Sequence, residues 1–138
     1  MPMINVQVAG EPNAELADKV QQTVTRLTAE ILGKDPKVTA VVVEFIPRKF
    51  WFVAGKSAAA REAPEFFVDV RITDGTNAKD EKARYIAETY AALSRLLGGK
   101  QSESYVHVND VRADSYGYGG LTQERRYIQG RAAPRVET

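Results

Sequence analysis

Met1-Pro2-Met3-Ile4-Asn5-Val6-Gln7-Val8-Ala9-Gly10 opens the chain, and Phe66-Phe67-Val68-Asp69-Val70-Arg71-Ile72-Thr73-Asp74-Gly75 repeats its pattern. In the first stretch Ile4, Val6 and Val8 alternate with Asn5 and Gln7. In the second, Phe66, Val68, Val70 and Ile72 alternate with Phe67, Asp69, Arg71 and Thr73. A period of two marks a strand with one buried face. The same signals follow both stretches. Gly10, Pro12 and Asn13 break the first strand, and Leu16, Val20, Val24, Leu27 and Ile31 then recur at helical spacing. Asp74-Gly75-Thr76-Asn77 breaks the other, and a helix is predicted from about Ala78 with Ile86, Thr89, Tyr90, Leu93 and Leu97 inward. Gly33 and Gly98 suit the left-handed position just past a helix end. Val38 to Ile46 and Tyr105 to Asp110 read as second strands, rich in β-branched and apolar residues.

The two halves superpose at an offset of 65 residues, which pairs Gly10 with Gly75, Leu32 with Leu97, Val41 with Val106 and Gly55 with Gly120. In the first strand the apolar phase matches at 64, so the first copy reads as one residue short just before Gly10. The boundaries that follow are 1–55 for the first β-α-β unit, 56–65 for a connector, 66–120 for the second unit, and 121–138 for a polar tail or short hairpin.

A strand, a helix and a second strand favour a parallel pair with a right-handed crossover. Two such units predict an α+β fold, with a four-stranded sheet and both helices on one face. Tyr105, His107, Trp51 and the valines leave the other face partly apolar, so self-association is expected. At 138 residues the chain fits one domain. It has no cysteine, which excludes disulfide and thiolate chemistry, and one histidine, which argues against a transition-metal site. The net charge of +1 has no basic stripe of the nucleic-acid type. No apolar run reaches the ~20 residues of a membrane span, and no signal segment is visible. A cytoplasmic location, no cofactor, no nucleic acid and no membrane are the resulting expectations.

The Met1-Pro2 start, the duplication and the turn Tyr116-Gly117-Tyr118-Gly119-Gly120 resemble the tautomerase superfamily in its long, fused form. Trp51-Phe52-Val53-Ala54-Gly55 is a degraded copy of that turn. The resemblance spans residues 2–120. It implies a homotrimer, an active site at Pro2 freed by removal of Met1, and small anionic keto or enol acids as substrates. Pro2 would be the base, because a neutral α-amine titrates near ~8 and accepts a proton. Its counterpart in the second copy is Phe66, which has no amine, so one site per protomer is implied. Trp51 and Tyr116 would line the pocket. The family's arginines fall at Ala40, Tyr105, Thr73 and Thr76, none of which is cationic. Arg71 on the polar side of its strand is the nearest replacement, with Arg112 second, since guanidinium grips carboxylate in bidentate fashion. Tyr105 and His107 are further candidates for substrate contact. Two alternatives stay open. One is a hydratase-, dehalogenase- or decarboxylase-like relative, with Asp110 or Asp114 activating water and Asp35 near the acidic position of the decarboxylases. The other is a non-catalytic trimer that retains Met1.

Overall fold

The computed structural model describes residues 1–61, 64–100 and 102–132. The elements run β1 (Met3–Ala9), α1 (Ala14–Leu32), β2 (Ala40–Ile46), β3 (Phe52–Val53), β4 (Lys56–Ser57), β5 (Phe66–Thr73), α2 (Lys79–Leu96), β6 (Tyr105–Val111), β7 (Gly117–Tyr118), β8 (Leu121–Thr122) and α3 (Gln123–Ala132). The main sheet has the order β2-β1-β5-β6. β1 is parallel to β2, β5 is parallel to β6, and β1 meets β5 antiparallel at the centre.

This order carries a pseudo-twofold axis between β1 and β5. Ile4 faces Val70 and Val6 faces Val68, so the two pairs exchange when β1 is laid on β5 at an offset of 64. β2 and β6 exchange at 65: Met3 lies beside Ala40, and Phe67 beside Tyr105. The extra residue falls one step later than expected. Gly10 N–H donates to Ile46 O and Asp74 N–H to Val111 O, both at 2.8 Å, so the counterpart of Gly10 is Asp74. The extra residue thus lies between Asp74 and the helix cap Ala78, in the turn where Gly75 takes φ +78°. An insertion within the strand would invert every following side chain; in the turn it leaves the register intact.

Local signals set the helix ends. Asn13 Oδ1 accepts Leu16 N–H at 3.0 Å, and Gly33, at φ +69°, closes α1 by donating to Ala29 O. At α2 the Glu81 carboxylate accepts Ala78 N–H at 2.7 Å. Both helices pack on one sheet face. There Ile4, Val6, Phe66, Val68, Val70 and Ile72 are fully buried against Val20, Val24 and Leu93. The inward face of α2 differs from the expectation at one position. Ile86 is exposed and Tyr85 is buried, because the row from Tyr85 through Thr89 to Leu93 faces α1. There Thr28 Oγ1 donates to Val24 O at 2.7 Å and lies 2.9 Å from the Tyr85 hydroxyl, its remaining partner.

The repeat extends further than the glycine turns. Lys56–Ser57, read as the start of a connector, pairs with Phe52–Val53, and Leu121–Thr122 pairs with Gly117–Tyr118. Both are two-residue hairpins. Ala54 and Gly55 have φ of +54° and +76°, and Gly119 and Gly120 have +60° and +85°. Two successive positive φ values give the type I′ turn that matches strand twist. The polar stretch beyond is the helix α3. Residues 62–63 of the expected connector and 133–138 of the expected tail lie outside the described residues.

The second face of the sheet lies opposite both helices. Its rows are Ala40-Met3-Arg71-Asn109, Val42-Asn5-Asp69-His107 and Glu44-Gln7-Phe67-Tyr105. Val42 is 49% exposed and Tyr105 69%.

Candidate active site

The first row of the open face ends at the N-terminus. Pro2 O accepts Ala40 N–H at 3.2 Å, which fastens the start of β1 to β2. Pro2 is buried and borders a cavity of about 710 Å³. Arg71 and Tyr116 line the same cavity, with Lys37, Asn109 and Ser115 around them. Lys37 stands in the tight turn Pro36–Val38, outside any periodic pattern, and Asn109 reads in sequence as one more polar strand position. Sequence reasoning missed both for that reason.

Tyr116 connects the elements. Its hydroxyl donates to the Met1 carbonyl and lies 3.3 Å from the Arg71 carbonyl. Burial raises the phenol above its ordinary value, against smaller opposing effects of the Met3 backbone and the Arg71 cation. The hydroxyl is therefore a protonated donor at neutral pH. The Met1 amine is held below its ordinary value, first by burial and then by the Lys34 ammonium. Lys34 is itself lowered by burial, against the pull of Glu81 and Asp110, and its Nζ donates to Thr76 Oγ1 at 2.8 Å. The Arg71 guanidinium is half-exposed and 3.6 Å from Asp69 Oδ2, which leaves it reachable from the cavity.

The other candidates stand elsewhere in the protomer. Trp51, Tyr105 and His107 line a second cavity of about 770 Å³, together with Gln7, Phe50 and Phe67. His107 Nδ1 is 3.8 Å from Asp69 Oδ1, too long for a hydrogen bond. Arg112 lines neither cavity. Its Nε and Nη2 hold the Asp114 carboxylate at 3.0 and 2.7 Å, a contact that, with Ser115, lowers Asp114 to about 2. Asp110 is held by Lys82 Nζ at 2.8 Å, and Asp35 accepts Lys37 N–H at 2.9 Å. No group of three His, Cys, Asp or Glu among the described residues is placed to hold a metal ion. No helix among them is long and apolar enough to cross a membrane.

No protein-family model and no curated protein matches the sequence. Solved structures match its fold along nearly the whole chain. A wild-type symmetric trimer of fused 4-OT superposes with a TM-score of 0.77 at 18% identity, covering 88% of this chain and 96% of that one. Pt0534, inactivated by 2-oxo-3-pentynoate, gives 0.76 at 16% over 90% and 98%. N1, a member of the cis-3-chloroacrylic acid dehalogenase family, gives 0.75 at 15% over 96% and 92%. The fold is thus the two-unit β-α-β fold seen in the fused 4-OT structures and in N1.

The β7–β8 hairpin holds Tyr116 in place, and Gly117 is its tightest point. A Cβ there would lie 2.1 Å from Leu121 O. Gly117→Ala is expected to open the hairpin and release the bond from Gln123 N–H to Tyr116 O (2.7 Å). Amide hydrogen exchange should show lost protection at Gln123 with β1 and β5 unchanged. Full protection at Gln123 would mean that the hairpin tolerates the methyl group.

Proposed function

We propose that this chain is a tautomerase in which the Pro2 amine, freed by removal of Met1, moves a proton between oxygen and carbon of small 2-keto or enol acids. The observation that carries the reading is the convergence of Pro2, Arg71 and Tyr116 on one cavity. The neutral amine takes the proton of an enol hydroxyl or an α-carbon and returns it to the neighbouring carbon. It has to be uncharged to do so. Burial and Lys34 lower the Met1 amine, and a Pro2 amine exposed by removal of Met1 is expected to meet the same two causes, since Pro2 is itself buried. Arg71 binds the carboxylate or polarises the 2-keto oxygen, and Lys37 adds a second cation beside it. With Met1 gone the Tyr116 hydroxyl loses its carbonyl acceptor and is left beside the Pro2 nitrogen. The inactivation of Pt0534 by 2-oxo-3-pentynoate supports the same substrate class.

Two other readings weigh less. Water addition needs a carboxylate at the cavity, whereas Asp110 and Asp114 are bound to Lys82 and Arg112 and do not border it. A non-catalytic role would follow from a retained Met1, because the Pro2 nitrogen would then be an amide and not a base. Enzymatic ketonisation of phenylenolpyruvate separates these readings. The Met1-free protein should be active, and a form carrying one residue before Pro2 should lose ~10²–10⁴-fold, the usual range for a general base. Equal rates would exclude Pro2 as the base. The rate should rise with pH as the amine deprotonates, with a midpoint below the ordinary ~8. A lowered pKa keeps the base form present at lower pH, so Lys34→Ala, which removes one depressing charge, should move the midpoint upward.

Arg71→Ala is expected to raise KM for a keto acid more than it lowers kcat, because a carboxylate contact acts mainly as uniform binding. Steady-state kinetics check this, and unchanged parameters would leave Lys37 as the anchor. We further propose a homotrimer built on the open sheet face, supported by the exposure of Val42 and Tyr105 and by the fused 4-OT trimers. Sedimentation at micromolar concentration should give three times the 15.2 kDa chain mass; a stable monomer would overturn it.

A further inference from the structure

Tyr116 reaches Pro2 through an atom that leaves with Met1. Its hydroxyl donates to the Met1 carbonyl. That carbonyl carbon is bonded to the Pro2 nitrogen, so the acceptor and the proposed base are two bonds apart. The other contacts of Tyr116 do not involve Met1. The Arg71 carbonyl lies 3.3 Å from the hydroxyl, and the Met3 backbone N–H lies against its oxygen. Tyr116 O accepts Gln123 N–H at 2.7 Å, which anchors the residue in the β7–β8 hairpin. All of these contacts lie within one protomer, and Tyr116 and Pro2 are too close for a partner's side chain to come between them.

We propose, on the reading that the Pro2 amine is the base, that Tyr116 is the positioning residue of that amine and accepts its N–H. A neutral secondary amine carries one N–H and one lone pair. A phenol hydroxyl has one proton to give and two lone pairs to offer. With the Met1 carbonyl gone, the Arg71 carbonyl is the acceptor left to the hydroxyl proton. One lone pair of the oxygen faces the Met3 N–H, and the other is open to the Pro2 nitrogen. The amine N–H then points at Tyr116, and the amine lone pair is turned to the cavity, where the substrate proton arrives. The reverse bond, from the hydroxyl to the amine lone pair, would occupy the pair that catalysis needs.

The charges around the amine give this bond its purpose. Lys34 beyond α1, Lys37 before β2 and Arg71 on β5 are all cations. None of the residues of this chain that line the cavity is a carboxylate. The ammonium that forms when Pro2 takes a proton therefore has no anionic partner from its own chain and depends on a neutral acceptor. Tyr116 supplies one, and burial keeps its phenol uncharged. A hydrogen bond accepted from the charged form favours that form. The ammonium has two N–H groups where the neutral amine has one, so Tyr116 acts upward on the amine while burial and the cations act downward. An amine lowered without this counterweight is neutral but too weak a base to hold the proton.

The test uses the Met1-free full-length protein with isotope-labelled proline, so that the nitrogen chemical shift of Pro2 reports the charge of its amine directly. Ketonisation of phenylenolpyruvate is followed against pH on the same samples. Tyr116→Phe should lower the midpoint of the Pro2 titration by about one pH unit, the size of one hydrogen bond to a charged group. The pH–rate limb should move with it, and kcat should fall while KM stays. The direction is opposite to that expected for Lys34→Ala. An unchanged midpoint overturns the proposal: a fall in kcat would then make Tyr116 a substrate contact, and no fall would make it packing. A midpoint that rises overturns it as well, because the hydroxyl would then be donating to the neutral amine. The unsubstituted protein gives a second reading that no folding defect can blur. The Tyr116 ring carbon that bears the hydroxyl should titrate with the Pro2 midpoint, since both belong to one hydrogen bond; a carbon signal that ignores that midpoint overturns the proposal. The nitrogen shift reads the amine whether or not it catalyses. A ketonisation rate that ignores the Pro2 midpoint therefore sinks the base and leaves the bond standing, whereas a shared midpoint that ignores Tyr116 sinks the bond and leaves the base.

Discussion

The antiparallel pairing of β1 with β5 is the constraint on which the rest depends. It joins two parallel β-α-β units into one sheet and sets the register in which Ile4, Val6, Val68 and Val70 share one buried face. The same register puts Met3 beside Arg71 and brings the end of β5 to the start of β1. A slip of one residue would turn Arg71 into the core and expose Val70 and Ile72. Burial of charge without a partner costs several kcal/mol, so the core face enforces the register that puts Arg71 at the Pro2 cavity.

The hairpins do the second part. Each sits at the end of an edge strand and folds an aromatic residue back over the sheet: Tyr116 at the Pro2 end, Trp51 at the other. The bond from Ala58 N–H to Trp51 O and that from Gln123 N–H to Tyr116 O, both 2.7 Å, fix the two turns alike. The backbones have stayed equivalent although the side chains have not. The first turn places Ala54 at φ +54°, which glycine occupies without strain and which costs an L-residue about 1 kcal/mol. Glycine holds the matching position of the second turn.

Duplication therefore supplied two equivalent frames, and substitution made them unlike. One end gathers cations around a proline at the chain start: Arg71 and Lys37 at the cavity, Lys34 behind it. The other gathers aromatic rings with Gln7 and His107. The difference rests on few positions. Phe66 is internal and has no free amine to offer, and Gln7 is uncharged where Arg71 is charged. The two cavities therefore differ in chemistry, and only one of the two is bordered by Pro2.

Periodicity alone was enough to reveal the two strands, the two long helices and the repeat, because burial of one face imposes alternation on a strand and a stripe on a helix. Pro2, Arg71 and Tyr116 were legible as candidates, since each is chemically conspicuous at a turn or on a polar strand face. Their meeting was not legible: Tyr116 and Met1 lie 115 residues apart and come together through the β1–β5 pairing and the β7–β8 hairpin. Lys37 and Asn109 left no signal in the sequence, as neither sits in a motif. The division of Trp51, Tyr105 and His107 from Pro2 was equally hidden, because a repeat shows that two halves are alike without saying that an antiparallel centre sends their pockets to opposite ends of the sheet. Ile86 and Tyr85 differ by one helical step, and only the α1–α2 contact chose Tyr85 for the interior. Local side-chain pattern determines which elements form; the long-range pairing of backbone edges decides which residues share a cavity.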